Sequence, residues 1–189
     1  MDEQSEFSKK IIINGINNKY QIKKLTKNTK TDEATQRLAT INWCLTNEEI
    51  SHDNQLKILN NILLNKKSEN AEKIKKIVIQ QIKSKISGYK HQDLNKQMLD
   101  NTDFVNFSDV IKKMIDTNLS CYYCKQDIDI LYNISREKKQ WTIDRIDNDK
   151  GHNKNNFHLA CLECNLKRRR QSDDKFLFTK QLNIIKREN

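Results

Sequence analysis

Cys121-x-x-Cys124 and Cys161-x-x-Cys164 are two tight cysteine pairs placed far apart in the chain. A pair of this spacing forms a knuckle, and two knuckles can converge four thiolates on one tetrahedral ion. Protein sulfur then fills every coordination position and leaves none for water, so the expected zinc, one per chain, is structural. Apparent binding energies for such sites are on the order of 10–16 kcal/mol, enough to organise a segment with few large apolar residues. Between the pairs stands Trp141-Thr-Ile-Asp144-Arg145-Ile-Asp147-Asn148, and the second pair runs into Asn165-Leu-Lys167-Arg168-Arg169-Arg170. An acidic strand held beside a basic, asparagine-bearing helix suggests metal-assisted chemistry on nucleic acid.

The elements that must position these residues can be read from periodicity. Trp141-Thr-Ile143 reads as a strand and Phe157-His158-Leu159-Ala160 as a second. Between them, Asp147-Asn148-Asp149-Lys150-Gly151-His152-Asn153 is a turn-rich loop with Gly151 available for positive φ. Leu162 to Gln171 reads as a helix, and Ser172-Asp173-Asp174 starts a last one carrying Phe176, Leu177, Leu182 and Ile185. Upstream, Asn14-Gly15 among β-branched residues signals a hairpin over residues 8–24. From Thr31 onward the pattern is helical. One face carries Leu38, Ile41, Trp43 and Leu45, and a second carries Ile50, Leu56, Leu59, Ile62 and Leu63. A third stripe, opened by Ser68-Glu69, carries Ile74, Ile77, Val78, Ile82 and Ile86. Gly88 reads as its C-cap and residues 87–93 as a polar linker. Ser108-Asp109 caps a short helix leading into Cys121. The expected fold is α+β: an N-terminal hairpin and helical region over residues 1–118, then a zinc-stabilised ββα-metal module with a C-terminal helix over 119–189.

This arrangement resembles the HNH, or His-Me finger, endonucleases, in the zinc-bound four-cysteine form similar to those of phages and large DNA viruses. The resemblance rests on Cys121-Tyr-Tyr-Cys124, Trp141-Thr-Ile-Asp144-Arg145-Ile-Asp147-Asn148, Gly151-His152-Asn153, Asn156-Phe157 and Cys161-Leu-Glu-Cys164-Asn165-Leu-Lys167-Arg168. Gly88-Tyr-Lys90-x-Gln92-Asp93 and residues 174–180 are similar to sequences flanking such domains. The resemblance implies that Asp144 and Asn165 hold a catalytic divalent ion, and that Asn156 keeps the loop and site geometry. Arg145 stands where the family most often has its general-base histidine, and an arginine cannot accept a proton at neutral pH. Three accounts follow: His152 activates water, His158 does so, or the site binds without cutting.

A divalent ion held by one carboxylate and one amide carbonyl stays a strong Lewis acid towards phosphate. Oxygen ligands suit Mg²⁺ or Mn²⁺. Arg145 would clamp the phosphate, and Asp147 either orients His152 or Arg145 or serves as a turn residue. Lys167, Arg168, Arg169 and Arg170 would grip backbone phosphates from the same helix. Tyr122 and Tyr123 read as packing residues, and Cys44, left over, as a small core residue.

The formal charge of +10 favours a polyanionic partner, with double-stranded DNA the expected one. No run of apolar residues is long enough to span a membrane. The opening Met1-Asp-Glu-Gln-Ser-Glu-Phe does not read as a signal peptide, and paired cysteines without one point to a reducing intracellular compartment. The leading expectation is a metal-dependent HNH-type DNA endonuclease acting as monomer or homodimer. The alternatives are a catalytically inactive zinc-stabilised nucleic-acid-binding module and a zinc-knuckle module serving another protein.

Overall fold

A computed structural model describes residues 35–65 and 72–182. The hairpin expected over residues 8–24, the helix start at Thr31 and Ile185 lie outside the described residues. The described residues from Gln36 onward belong to one compact unit, which holds both the helical region and the segment from residue 119. The architecture is mixed helix with a small two-stranded sheet, an α+β arrangement.

The helices are α1 (Leu38–Ile41), α2 (His52–Leu63), α3 (Glu72–Asn95) and α4 (Phe107–Asp116). Ser51 caps α2 by accepting from the Asn54 backbone N–H. Helix α4 starts two residues earlier than a Ser108 cap would place it. Asn106 and Asp109 there form a reciprocal capping box that satisfies two orphan donors. Leu59, Val78, Ile82, Val110 and Met114 meet in a fully buried core between α2, α3 and α4. Gln55 ties this core to the cysteine-bearing segment. Its buried amide donates to Ile50 O and accepts from Ile130 N and Leu131 N at 2.8 and 3.0 Å, so little hydrogen-bonding capacity is wasted.

Helix α3 corrects the sequence reading. It does not stop at Gly88 and no linker follows; it runs on to Asn95. A mid-helix glycine costs about 1 kcal/mol relative to alanine. That cost is outweighed by what the last turns anchor, since Tyr89 and Asp93 pack against the sheet and its loop. Asp93 is fully buried.

Strands β1 (Trp141–Arg145) and β2 (Phe157–Cys161) pair antiparallel, with Trp141 opposite Cys161 and Arg145 opposite Phe157. Helix α5 (Leu162–Arg168) leaves β2 directly and packs on both strands, and α6 (Asp173–Gln181) follows. The helix after the second cysteine pair therefore ends at Arg168, three residues short of the expected Gln171. Gly151 is required for a different reason from the expected one. Its φ lies outside the left-handed region, but a Cβ there would lie 2.5 Å from Met98 O. Among the described residues, no helix is long and apolar enough to cross a membrane.

Candidate functional site

The Sγ atoms of Cys121, Cys124, Cys161 and Cys164 all lie within 4.8 Å of one another. Four sulfurs at about 2.3 Å from a tetrahedral zinc would be about 3.8 Å apart. The Cys124–Cys161 separation is 3.9 Å. The knuckles are shaped by backbone bonds: Lys125 N donates to Cys121 O, and Cys164 N to Cys161 Sγ at 3.3 Å. Without a cation the cluster tolerates little charge. A hydrogen bond from Cys161 holds the Cys121 thiol below its ordinary value, while burial, with the Cys121 charge beside it, pushes Cys164 above its own. A divalent ion resolves that conflict by taking all four as thiolates. The donor set and spacing thus fit zinc. Cys44 is exposed, at φ 48°, and not the core residue expected.

Beside this cluster opens a cleft of about 600 Å³. It is lined by Asp144, Arg145, His152, Asn165, Arg169 and Arg170, among others. Six residues singled out from sequence therefore face one space, delivered by β1, the loop, α5 and the segment after it.

Asp144 closes the β1 end. Its Oδ2 accepts from the Tyr123 hydroxyl at 2.6 Å and from Arg168 at 2.9 Å. Among the described residues, no protein donor reaches Oδ1, the oxygen left for the cleft. Burial pushes the Asp144 carboxyl above its ordinary range, against the lowering effects of Tyr123 and Arg168. A nearby cation would favour the ionised form. Asn165 spends its amide nitrogen on Thr142 Oγ1 at 3.0 Å and Ile143 O at 3.4 Å. Its amide oxygen has no protein donor among the described residues. One carboxylate oxygen and one amide oxygen without a protein donor thus belong to residues lining the same cleft.

His152 forms a dyad that the sequence did not reveal. Its Nδ1 lies 2.7 Å from Asp93 Oδ1, and its backbone N–H donates to Asp93 Oδ2 at 2.6 Å. Asp93 comes from the last turns of α3, the stretch read from sequence as a linker. A carboxylate on Nδ1 requires the proton there and leaves Nε2 as the acceptor. Burial pushes the His152 pKa below its ordinary value, with Asp93 opposing. The imidazole is therefore neutral near pH 7. The Tyr89 ring lies 4.6 Å from the imidazole at a 35° tilt, and its hydroxyl accepts from Ile143 N, which fixes α3 to β1.

His158 is elsewhere. It does not line the cleft; it stacks on Tyr122 at 3.5 Å and reaches Asp173 at 3.3 Å. His158 is thus placed outside the cleft, against Tyr122 and Asp173. Asn156 clamps the loop from both ends. Its Oδ1 accepts from Asp147 N, and its Nδ2 donates to Asp147 O and Gly151 O. Asp147 is a turn residue, accepting from Asp149 N and pairing with Lys150, and it orients neither His152 nor Arg145. Arg145 braces the same loop by donating to Lys150 O at 3.0 Å.

The basic run divides in three. Arg168 is buried and donates to Asp144, Arg145 O and Ile146 O, so it holds the strand and does not grip phosphate. This corrects the expected surface role. Its position three residues after Asn165 and four after Cys164 puts it on the inward stripe of α5. Arg169 and Arg170 lie beyond the helix, exposed, on the cleft rim, with Arg170 3.2 Å from Asp149. Lys167 is exposed, pairs with Glu163 at 2.7 Å and stands outside the cleft. Tyr123 was read as packing, and its hydroxyl contact with Asp144 had no local signal in the sequence. No protein-family profile, curated protein or solved structure matches this chain.

Proposed function

We propose that this protein hydrolyses phosphodiester bonds of DNA with a divalent cation, as an endonuclease of the HNH type, on a scaffold closed by one structural zinc. One observation carries the reading. Asp144 Oδ1, the Asn165 amide oxygen and an Asp93-bound histidine share one cleft with a basic rim.

The cation, Mg²⁺ or Mn²⁺, would be held by Asp144 and Asn165 and would supply Lewis-acid polarisation of the phosphate and neutralisation of developing charge. The chain's own groups do the rest. Nε2 of His152 takes a proton from the attacking water as the new P–O bond forms. Asp93 keeps the proton on Nδ1 and stabilises the imidazolium that results. The bond to the leaving sugar oxygen breaks, and that oxygen acquires a proton from solvent. Arg145, already fixed by Lys150 O, and Arg169 on the rim balance the phosphate charge. Tyr123 and Arg168 hold Asp144 from behind and keep Oδ1 turned to the cleft.

A second reading is a module that binds nucleic acid without cutting it. The buried Arg168–Asp144 pair favours it, because it satisfies half of the carboxylate without a cation. Plasmid nicking separates the two. Wild-type protein with added Mg²⁺ or Mn²⁺ is expected to convert supercoiled DNA to the open circle, and Asp144→Ala to fall to background. Retardation of DNA with no cutting by either protein would favour the binding module.

A further inference from the structure

The cleft does not end at Asn165. A second concavity shares Tyr89, Gln92 and Asn165 with it and continues along the seam between α3 and α5. A third shares Gln140, Leu162 and Leu166 with the second and reaches Tyr132 and Arg136. The three adjoin one another across these shared walls.

The middle of the three is built around Lys85. The ammonium donates to Gln140 Oε1 at 3.1 Å and to Trp141 O, and lies 4.9 Å from the Trp141 ring. Two of its three N–H donors are thereby engaged and one remains. Burial, together with the Arg37 charge, holds Lys85 down at about 7, so an anion placed here would restore its full charge. The groove wall sets the cations Arg37, Lys85 and Arg136 beside apolar surface such as Leu166, which is 55% exposed, and Arg37 lies over the Tyr132 ring at 4.1 Å. Cations for a backbone and flat or apolar faces for bases are the two needs of a single strand.

We infer that this groove carries a single strand of nucleic acid onward from the cleft, with Lys85 binding a second phosphate, an inference that rests on the phosphodiesterase reading above. The substrate class is accordingly a polynucleotide cut at an interior bond, with chain on at least one side lying between α3 and α5. A mononucleotide or small diester fills the cleft alone.

Gly88 supplies the test. It lines the groove on α3, and a Cβ there meets nothing within 4 Å. Gly88→Trp should therefore fold and fill the groove. Binding of a fluorescent single-stranded oligonucleotide by anisotropy is expected to weaken at least about tenfold in this variant, the loss of one or more stacked bases. Hydrolysis of bis(p-nitrophenyl) phosphate, which has a single phosphate, should match wild type. Lys85→Met is expected to weaken strand binding and reduce the salt slope by about 0.7, the value for one phosphate on a single strand. Wild-type strand affinity in Gly88→Trp would overturn the groove, as would an effect confined to duplex DNA. Loss of bis(p-nitrophenyl) phosphate hydrolysis in Gly88→Trp would also overturn it, by showing that groove and cleft are not separable. Failure of wild-type protein to hydrolyse either substrate, with the strand-binding differences intact, would instead remove the chemistry and leave the groove.

Discussion

Cys164→Ser is expected to lose its bound zinc and, with it, the fold of the segment from Leu119 to Phe176. Wild-type protein should carry one zinc per chain by plasma mass spectrometry, and the variant far less. The size of the effect follows from where the sulfurs sit. They join the first knuckle to the start of α5 beside a sheet of two five-residue strands, in a segment whose buried apolar side chains include Leu119, Tyr123, Ile128, Ile130, Trp141, Ile143 and Leu159. A four-thiolate zinc site contributes on the order of 10–16 kcal/mol of apparent binding energy. A domain's entire net stability is about 5–15 kcal/mol. Removing one ligand also leaves the three remaining sulfurs without the cation that holds them together as thiolates. Near-ultraviolet circular dichroism, which reports on Trp141 and the packed tyrosines, should collapse in the variant and in chelator-treated wild type. Helices α2 and α3 should persist in the far-ultraviolet signal, because Leu59, Val78 and Ile82 are buried together with Val110 and Met114 of α4. A Cys164→Ser protein with an undiminished near-ultraviolet spectrum would mean that the sulfurs are not what holds the segment.

His152→Ala should lower the cleavage rate about 10²–10⁴-fold, the range for loss of a positioned general base. Asp93→Asn should fall in the same range while keeping the fold, since the amide has the carboxylate's shape. The aspartate holds the tautomer in which Nε2 is free, and an asparagine does not impose it. The pH dependence has a definite sign. Burial places the folded-state pKa of His152 below its ordinary value of about 6.5. The neutral, base-competent form therefore persists below that value, and kcat/KM should stay flat down to it before falling. Between the folded pKa and about 6.5 the unfolded chain binds more protons than the folded one at this position. Stability consequently rises with pH across that window and declines as pH falls through it. Asp93 opposes the shift, so Asp93→Asn should move the imidazole pKa lower still, as read by NMR titration. A rate independent of both side chains would place the base elsewhere.

Much of this cleft was legible because its signals are local. Cys-x-x-Cys spacing defines a knuckle within four residues. Asp144 at a strand end and Asn165 after the last cysteine are fixed relative to those knuckles by short elements. His152 was a candidate from the loop, but its partner was not, since Asp93 lies beyond a glycine that reads as a helix end. Nothing near Gly88 signals that α3 continues; tertiary packing of Tyr89 and Asp93 against β1 and the loop carries the helix through. The opposite error affected Arg168. In a run of four cations all look like surface residues, yet helical spacing from Cys164 and Asn165 turns this one inward to Asp144. Gly151 was identified correctly as a special position, although the constraint is the approach of Met98 O and not a left-handed backbone. Contacts such as Tyr123 with Asp144 depend on how the zinc knuckle is set against β1, and no periodicity records that.

Hydrolysis as proposed depends on a second cation held in the cleft between a strand carboxylate and a helix amide. Anomalous diffraction from crystals soaked in Mn²⁺ tests it without depending on activity. The account predicts two peaks: zinc among the four sulfurs, and manganese contacting Asp144 Oδ1 and the Asn165 amide oxygen, the latter lost in Asp144→Ala. A zinc peak alone, with Asp144 held only by Tyr123 and Arg168 at saturating manganese, would contradict it.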